Sequence, residues 1–187
     1  DIKKYKVSFR PGNKVYLSAN PGRESEYGWN LVHQIAWALP EIEFHLYGSD
    51  WTENWDKCKH FPLGFVVKSQ NLTWKQYAPN IIVHGRVSKK QMNKEIKAMQ
   101  CGLRLNKHDG FSEITAKSVL WGQYPITYLY YPHIDQYTDD DYGLPTTTKS
   151  IQKLVKLLKE IPKKKQPNLG AREYYLSALN KFPWLSR

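Results

Sequence analysis

Short apolar runs of strand length alternate with amphipathic stretches of helical length along most of this chain, and that alternation narrows its fold more than any other feature. A strand buried on both faces reads as a nearly continuous apolar run, whereas a helix packed across it repeats apolar residues three and four apart. Val15-Tyr16-Leu17-Ser18-Ala19 is the first such strand, and it runs into the turn-forming cluster Asn20-Pro21-Gly22-Arg23. A helix is predicted from about Gly28 to Leu39, with Leu31, Val32, Ile35, Ala36 and Leu39 on one face and Pro40 past its end. Further strands are predicted at Ile42 to Tyr47, Phe65-Val66-Val67, Asn80 to Val83, Gly102 to Leu105 and Pro125 to Leu129. Ser88-Lys89-Lys90-Gln91 reads as a reciprocal capping box opening a helix whose stripe is Met92, Ile96 and Met99. Helices are also predicted over about Ser112 to Trp121, Ser150 to Ile161 (closed by Pro162) and Gly170 to Lys181.

Strand and helix in alternation specify an α/β fold: a Rossmann-like parallel sheet of about six strands with helices on both faces. The 187 residues fit a single domain over 1–187, with 1–14 as a lead-in or linker and 150–187 as C-terminal helices. No apolar stretch approaches the roughly 20 residues that span a bilayer, and Asp1-Ile2-Lys3-Lys4 opens no signal-peptide core. Cys58 and Cys101 form no Cys-x-x-Cys pair and read as two reduced thiols, so a cytoplasmic setting is expected. The net charge of +11 is spread along the chain, with one dense run at Lys163-Lys164-Lys165. Such a field attracts polyanions, phosphorylated small molecules or an anionic membrane surface without choosing among them, so peripheral membrane association is compatible with it.

In an open parallel sheet, ligands bind beyond the carboxyl ends of the strands where the strand order reverses. With six strands in the order 3-2-1-4-5-6, that point lies between the first and fourth strands. The loops expected to face it are Asn20–Gly28, His84–Ser88 and Asn106–Ser112. Gly22 would let backbone approach a phosphate while Arg23 makes a bidentate contact. Gly110-Phe111-Ser112 enters a helix whose first amides and positive dipole end favour an anion. His84-Gly85 would close the crevice. The glycine fingerprint of ordinary dinucleotide sites is absent, as are the Walker phosphate loop and the Gly-x-Ser-x-Gly elbow. His33, His45 and His60 read as ordinary histidines, and no metal site is expected.

His108-Asp109-Gly110-Phe111-Ser112, the helix through Lys117-Ser118-Val119-Leu120-Trp121-Gly122, and Pro125-Ile126 resemble a diagnostic segment of retaining GT-B glycosyltransferases. There a Glu-Gly-Phe-Gly stretch opens a helix ending in Glu-Ala-x-x-x-Gly-x-Pro-Val. Gly22-Arg23 with Tyr27-Gly28 is similar to the family's Gly-Arg plus Lys-Gly loop, and Val83-His84-Gly85-Arg86-Val87-Ser88 to its Phe-x-Gly-x-Val-Ser entry into a helix. The resemblance covers about residues 15–184 and implies the C-terminal, nucleotide-sugar-binding half of such an enzyme. It implies that Asp109 stands near the donor sugar and that Arg23 binds phosphate. Backbone at Gly110, Phe111 and Ser112 would meet the diphosphate or sugar, and His84, Gly85, Arg86 and Val87 would line the base pocket. Two positions depart from the pattern: Lys117 replaces the second glutamate, which holds the ribose hydroxyls, and Tyr27 replaces the loop lysine. An ammonium cannot accept hydrogen bonds from a diol, but it can meet a phosphate.

The function so implied is transfer of a sugar from a nucleoside-diphosphate donor to an acceptor, in glycan or polysaccharide biosynthesis, with no metal or other cofactor. Asp109, Arg23 and Lys117 are the candidate catalytic residues. A second half-domain on the N-terminal side is the expected partner. A catalytically degenerate GT-B-like binding or scaffold module is the alternative. A basic nucleic-acid-binding domain is the weaker third reading, since no RRM, KH or helix-turn-helix signature is present.

Overall fold

The computed structural model describes residues 5–49, 78–106, 112–127 and 148–181. Their strands are β1 (Lys14–Ser18), β2 (Glu43–Tyr47), β3 (Ile81–Gly85), β4 (Cys101–Arg104) and β5 (Ile126–Thr127). Their α-helices are α1 (Trp29–Ala38), α2 (Lys89–Ile96), α3 (Glu113–Leu120), α4 (Thr148–Lys159) and α5 (Leu169–Lys181). The strands join in the order β3-β2-β1-β4-β5, and every pairing is parallel. A parallel pair needs a crossover between its strands, so helices must cover the sheet.

The alternation along β1 separates the two layers. Val15 and Leu17 join Phe44, Leu46, Cys101, Leu103 and Ile126 in one buried cluster with Val32, Ile35 and Ala36 of α1 and Leu154 and Leu158 of α4. Tyr16 and Tyr47 belong to a second cluster, with Ile96, Met99, Ile114 and Trp121. Helix α5 extends this layer by packing Ala171, Tyr175 and Leu179 against Ala116, Val119 and Leu120 of α3. Helices therefore lie on both faces of a doubly wound sheet, as the sequence pattern requires.

Polar side chains hold the turns between these layers. The Tyr16 hydroxyl donates to Gln123 Oε1 at 2.8 Å, and Gln123 Nε2 donates to the Ile96 carbonyl at 2.7 Å, so a buried tyrosine is satisfied inside the core. Gly102 makes room for it: a Cβ there would lie 3.0 Å from the Tyr16 hydroxyl. Asn80 Nδ2 collects the carbonyls of Ala36, Leu39 and Ile42 at 3.0, 3.0 and 2.9 Å, closing the C-terminal end of α1.

Several local expectations change. Ser88 caps α2 by accepting from the Gln91 amide at 3.1 Å, but the Gln91 side chain turns to Glu95 instead of back to Ser88. The capping box is thus made in one direction, because the Gln91 side-chain amide donates to a carboxylate one turn along rather than accepting from the Ser88 N–H. Pro162 does not simply end α4; it sits inside a 3-10 turn at Ile161–Lys163. The strand expected at Phe65-Val66-Val67 lies outside the described residues, as does Leu129.

Candidate functional site

The strand order reverses between β1 and β4, since β2 and β3 lie on one side of β1 and β4 and β5 on the other. The strand order expected from the sequence puts the strand ending at His84 beside the first strand. The structure instead puts β3 two positions from β1, outermost on that side among the described strands, and gives the place beside β1 to the strand of Cys101–Arg104. Hydrophobic pattern predicts that a strand exists but carries little information about which neighbour it pairs with, so the order differs from the expected one. Among the described residues, the crevice at the reversal is therefore bounded by the loop after β1 on one side and by the end of β4 and the start of α3 on the other. All strands being parallel, His84-Gly85 still emerges on the same carboxyl edge. Backbone bonds run along that edge: Ala19 N–H to the Tyr47 carbonyl at 3.0 Å, and Gly48 N–H to the Gly85 carbonyl at 2.7 Å. Two strand spacings separate Gly85 from Ala19, on the order of 10 Å.

The loop from Asn20 to Gly28 is tightly built. Gly22 and Gly28 both adopt left-handed backbone, at φ 80° and 74°. Around Gly22 a Cβ would meet nothing within 4 Å, so the backbone there is open to approach. At Gly28 a Cβ would overlap that of Leu105 and lie 3.0 Å from the Leu105 carbonyl oxygen, so this glycine presses the loop onto the end of β4. Glu24, buried, receives the Gly22 amide at 3.0 Å and the Ser49 hydroxyl, which fastens the loop to the end of β2. Composition did not single out Glu24, and its signal in the sequence is only a carboxylate two residues after a turn glycine. Arg23 is exposed and pairs with Glu26 at 2.5 Å. Tyr27 lies under the Arg104 guanidinium, 4.6 Å from ring centroid to Cζ, and its hydroxyl accepts from Asn20 Nδ2 at 3.2 Å. The aromatic ring that stands where the resembled family has a lysine thus supports a cation, Arg104, that the sequence reading overlooked.

On the other wall, Ser112 caps α3: its hydroxyl accepts from the Thr115 amide at 3.2 Å and bonds to the Thr115 hydroxyl at 2.7 Å. Asp109, Gly110 and Phe111 lie outside the described residues. Lys117, five residues into α3, has a side chain only 5% exposed, and its Nζ donates to Asn93 Oδ1 at 2.8 Å and pairs with Glu113 at 2.9 Å. Lys89 reaches the same carboxylate at 2.8 Å. Burial by itself would raise the Glu113 carboxyl, but the ammonium groups of Lys89 and Lys117 outweigh it and hold the group below its ordinary range. The result is an ionic seam joining α2 to α3.

Of the other candidates, Gly85 is left-handed at φ 65° and Arg86 is exposed. His84 does not point toward the β1 loop; it lies against Tyr47 at 4.3 Å between ring centroids and beside His45. Among the described residues no group of three or more His, Cys, Asp or Glu could hold a metal ion, and no helix is long and apolar enough to cross a membrane.

A doubly wound parallel sheet with this reversal and these carboxyl-edge loops defines a Rossmann-like domain, and its architecture is that of the GT-B glycosyltransferases. Similar solved structures include TarM of S. aureus, whose crystals held UDP, at TM-score 0.61 and 14% identity over 96% of this chain and 34% of that one. HepE of Anabaena, in complex with UDP, superposes at TM-score 0.58 and 15% identity, covering 92% of this chain and 45% of its own. The C-terminal domain of the group 1 glycosyl transferase LpcC of Francisella tularensis gives TM-score 0.56 and 15% identity over 92% of this chain and 87% of that domain. The chain spans about a third of TarM, whereas it matches most of the separated LpcC domain. No family model and no curated protein matches the sequence. At such identities the likeness establishes the fold.

Proposed function

We propose that this chain is the donor-binding half of a glycosyltransferase, which takes a nucleoside-diphosphate sugar at the crevice between β1 and β4. The observation that carries this reading is the contact of Gly28 with Leu105, which presses the end of the loop that carries the exposed Gly22-Arg23 turn onto the strand that feeds the N-terminus of α3. Arg23 would exchange its exposed partner Glu26 for a phosphate, and the first-turn amides of α3 would face the same charge. Asp109, Gly110 and Phe111 would complete the donor side, with Gly22 and Tyr27 across from them and His84, Gly85 and Arg86 farther along the edge. The chemistry such a cradle supplies is electrostatic: donors fixed in advance stabilise the departing diphosphate as the glycosidic bond breaks. Lys117 contributes indirectly in this reading, because Glu113 and Asn93 hold its ammonium and it braces α3.

Acceptor binding and turnover would need a second half-domain on the other side of the cleft, so the 187 residues alone are expected to bind donor weakly and transfer nothing. Calorimetry with uridine, guanosine and adenosine diphosphates tests this. Saturable binding of one of them supports the donor reading, and no binding of any sinks it. The engaged state of Lys117 favours a second reading, a GT-B-like module that scaffolds a partner without turnover. That reading expects no nucleotide response in the same experiment.

A further inference from the structure

His45 on β2 and His84 on β3 stand side by side with ring centroids 5.1 Å apart. His45 Nδ1 lies 2.9 Å from His84 Nε2, so one of these nitrogens carries a hydrogen and the other offers a lone pair. A carboxylate waits at each outer end: Glu43 Oε2 is 3.2 Å from His45 Nε2, and Glu95 Oε2 is 3.6 Å from His84 Nδ1. Two contacts within hydrogen-bond distance therefore each call for one hydrogen, and the 3.6 Å approach to Glu95 calls for a third to draw it closed. Two neutral rings supply only two, leaving one contact without. If His84 donates to His45, its own bare nitrogen faces Glu95; if His45 donates to His84, the bare nitrogen of His45 faces Glu43. One added proton satisfies all three contacts. A second would set two N–H bonds against each other across 2.9 Å.

We propose that His45 and His84 are positioning residues that together take up a single proton, shared between Glu43 and Glu95, and that this proton fixes the His84–Ser88 loop against α2. The loop begins at His84, and its Ser88 caps the helix that carries Glu95, so closing the last contact braces both of its ends. The other groups facing the pair come from each neighbouring element. Tyr47 donates its hydroxyl to Glu95 at 2.7 Å, Lys14 of β1 pairs with Glu43 at 3.5 Å, and Arg10 lines the same groove of about 420 Å³. Burial pushes both imidazoles below their ordinary value of 6.5 against the pull of Glu43 on His45 and Glu95 on His84, with Lys14 also opposing the charge on His45. The proton accordingly enters on the acid side of neutrality. The consequence for catalysis rests on the donor reading, in which this loop lines the base pocket, whereas the proton pair itself does not need it.

The test is an imidazole NMR titration of the 187-residue chain from pH 8 to 5, with His45→Asn and His84→Asn variants assigning the two rings. One proton per pair is expected, with a common midpoint below 6.5 and the Gly85 and Val87 amides moving with it. Glu95→Gln, which keeps an acceptor for Tyr47 but loses the charge, should lower that midpoint by about half a pH unit. Two independent full titrations near 6.5, or loop amides that ignore the transition, overturn the proposal. If the asparagine variants do not fold, the native chain against Glu95→Gln decides it. Uridine diphosphate binding, measured at pH 7.5 and 5.5, then separates the two claims. A gain of about threefold toward acid that Glu95→Gln abolishes supports both. A shared proton with no nucleotide bound at either pH leaves the pair standing and removes the donor reading.

Discussion

Gly28 and Leu105 touch across the strand reversal, and the contact leaves no room for a side chain on the glycine. Replacement by alanine would force φ 74° on an L-residue and drive its methyl group into Leu105. Left-handed backbone costs about 1–2 kcal/mol and the overlap about as much again. Gly28→Ala is expected to lower unfolding stability by about 3 kcal/mol in urea, a loss read as an earlier midpoint. Gly22→Ala meets no neighbour and pays only for its backbone, so it should cost less.

Lys117 is the residue at which the resembled family carries glutamate. Lys117→Glu would place a carboxylate in a buried position one helical turn from Glu113 and leave Asn93 Oδ1 facing a second acceptor. A loss of about 3 kcal/mol is expected, with no gain of nucleotide binding, because the site around this position is built for a cation. Lys117→Met removes the charge while keeping the stem and should cost less than about 1.5 kcal/mol. Thermal unfolding of the two variants side by side checks the order.

Glu113 has a carboxyl held below its ordinary 4.5 in the folded chain. A depressed folded value means that the ionised group stabilises the fold above the unfolded value and that this contribution fades as pH falls through the folded one. The native chain is therefore expected to lose stability below about pH 4.5 more steeply than Glu113→Gln, which has no such proton to take up. The carboxylate is 55% exposed, so solvent screens the effect and the gap between the two acid profiles should be small but resolvable.

Arg23, 59% exposed and paired only on the surface with Glu26, contributes little to folding. Arg23→Ala should leave the urea midpoint within about 0.5 kcal/mol of the native chain and weaken nucleoside-diphosphate binding about tenfold. Arg23→Lys should recover only part of the binding, since an ammonium cannot grip two phosphate oxygens in one plane. Equal affinity of Arg23→Ala and the native chain would remove this residue from the site.

Those features of the fold are legible in the sequence whose physical signal is local. The stripe Leu31, Val32, Ile35 and Ala36 marks one face of α1 and is buried as a unit, because helical period and burial are the same fact seen twice. Ser88 and Ser112 cap their helices as their residue types foretell. Hidden from the sequence were contacts between residues far apart in the chain: Gln123 under Tyr16, Asn80 on the carbonyls of α1, and Glu24 on Ser49. The standing of Lys117 was hidden as well, since a lysine on a helix looks the same whether it meets solvent or lies buried against a carboxylate.

The sequence by itself determined the class of fold and that its strand-end loops leave one edge of the sheet, because strand and helix periodicity is written residue by residue and parallel strands send all their carboxyl ends to one edge. Only the tertiary structure decided which loops share the crevice. It moved the strand ending at Gly85 to two places from β1, set Leu105 against Gly28, and turned His84 toward His45. Strand order depends on pairing energies summed over the whole sheet, and no short stretch of chain contains them.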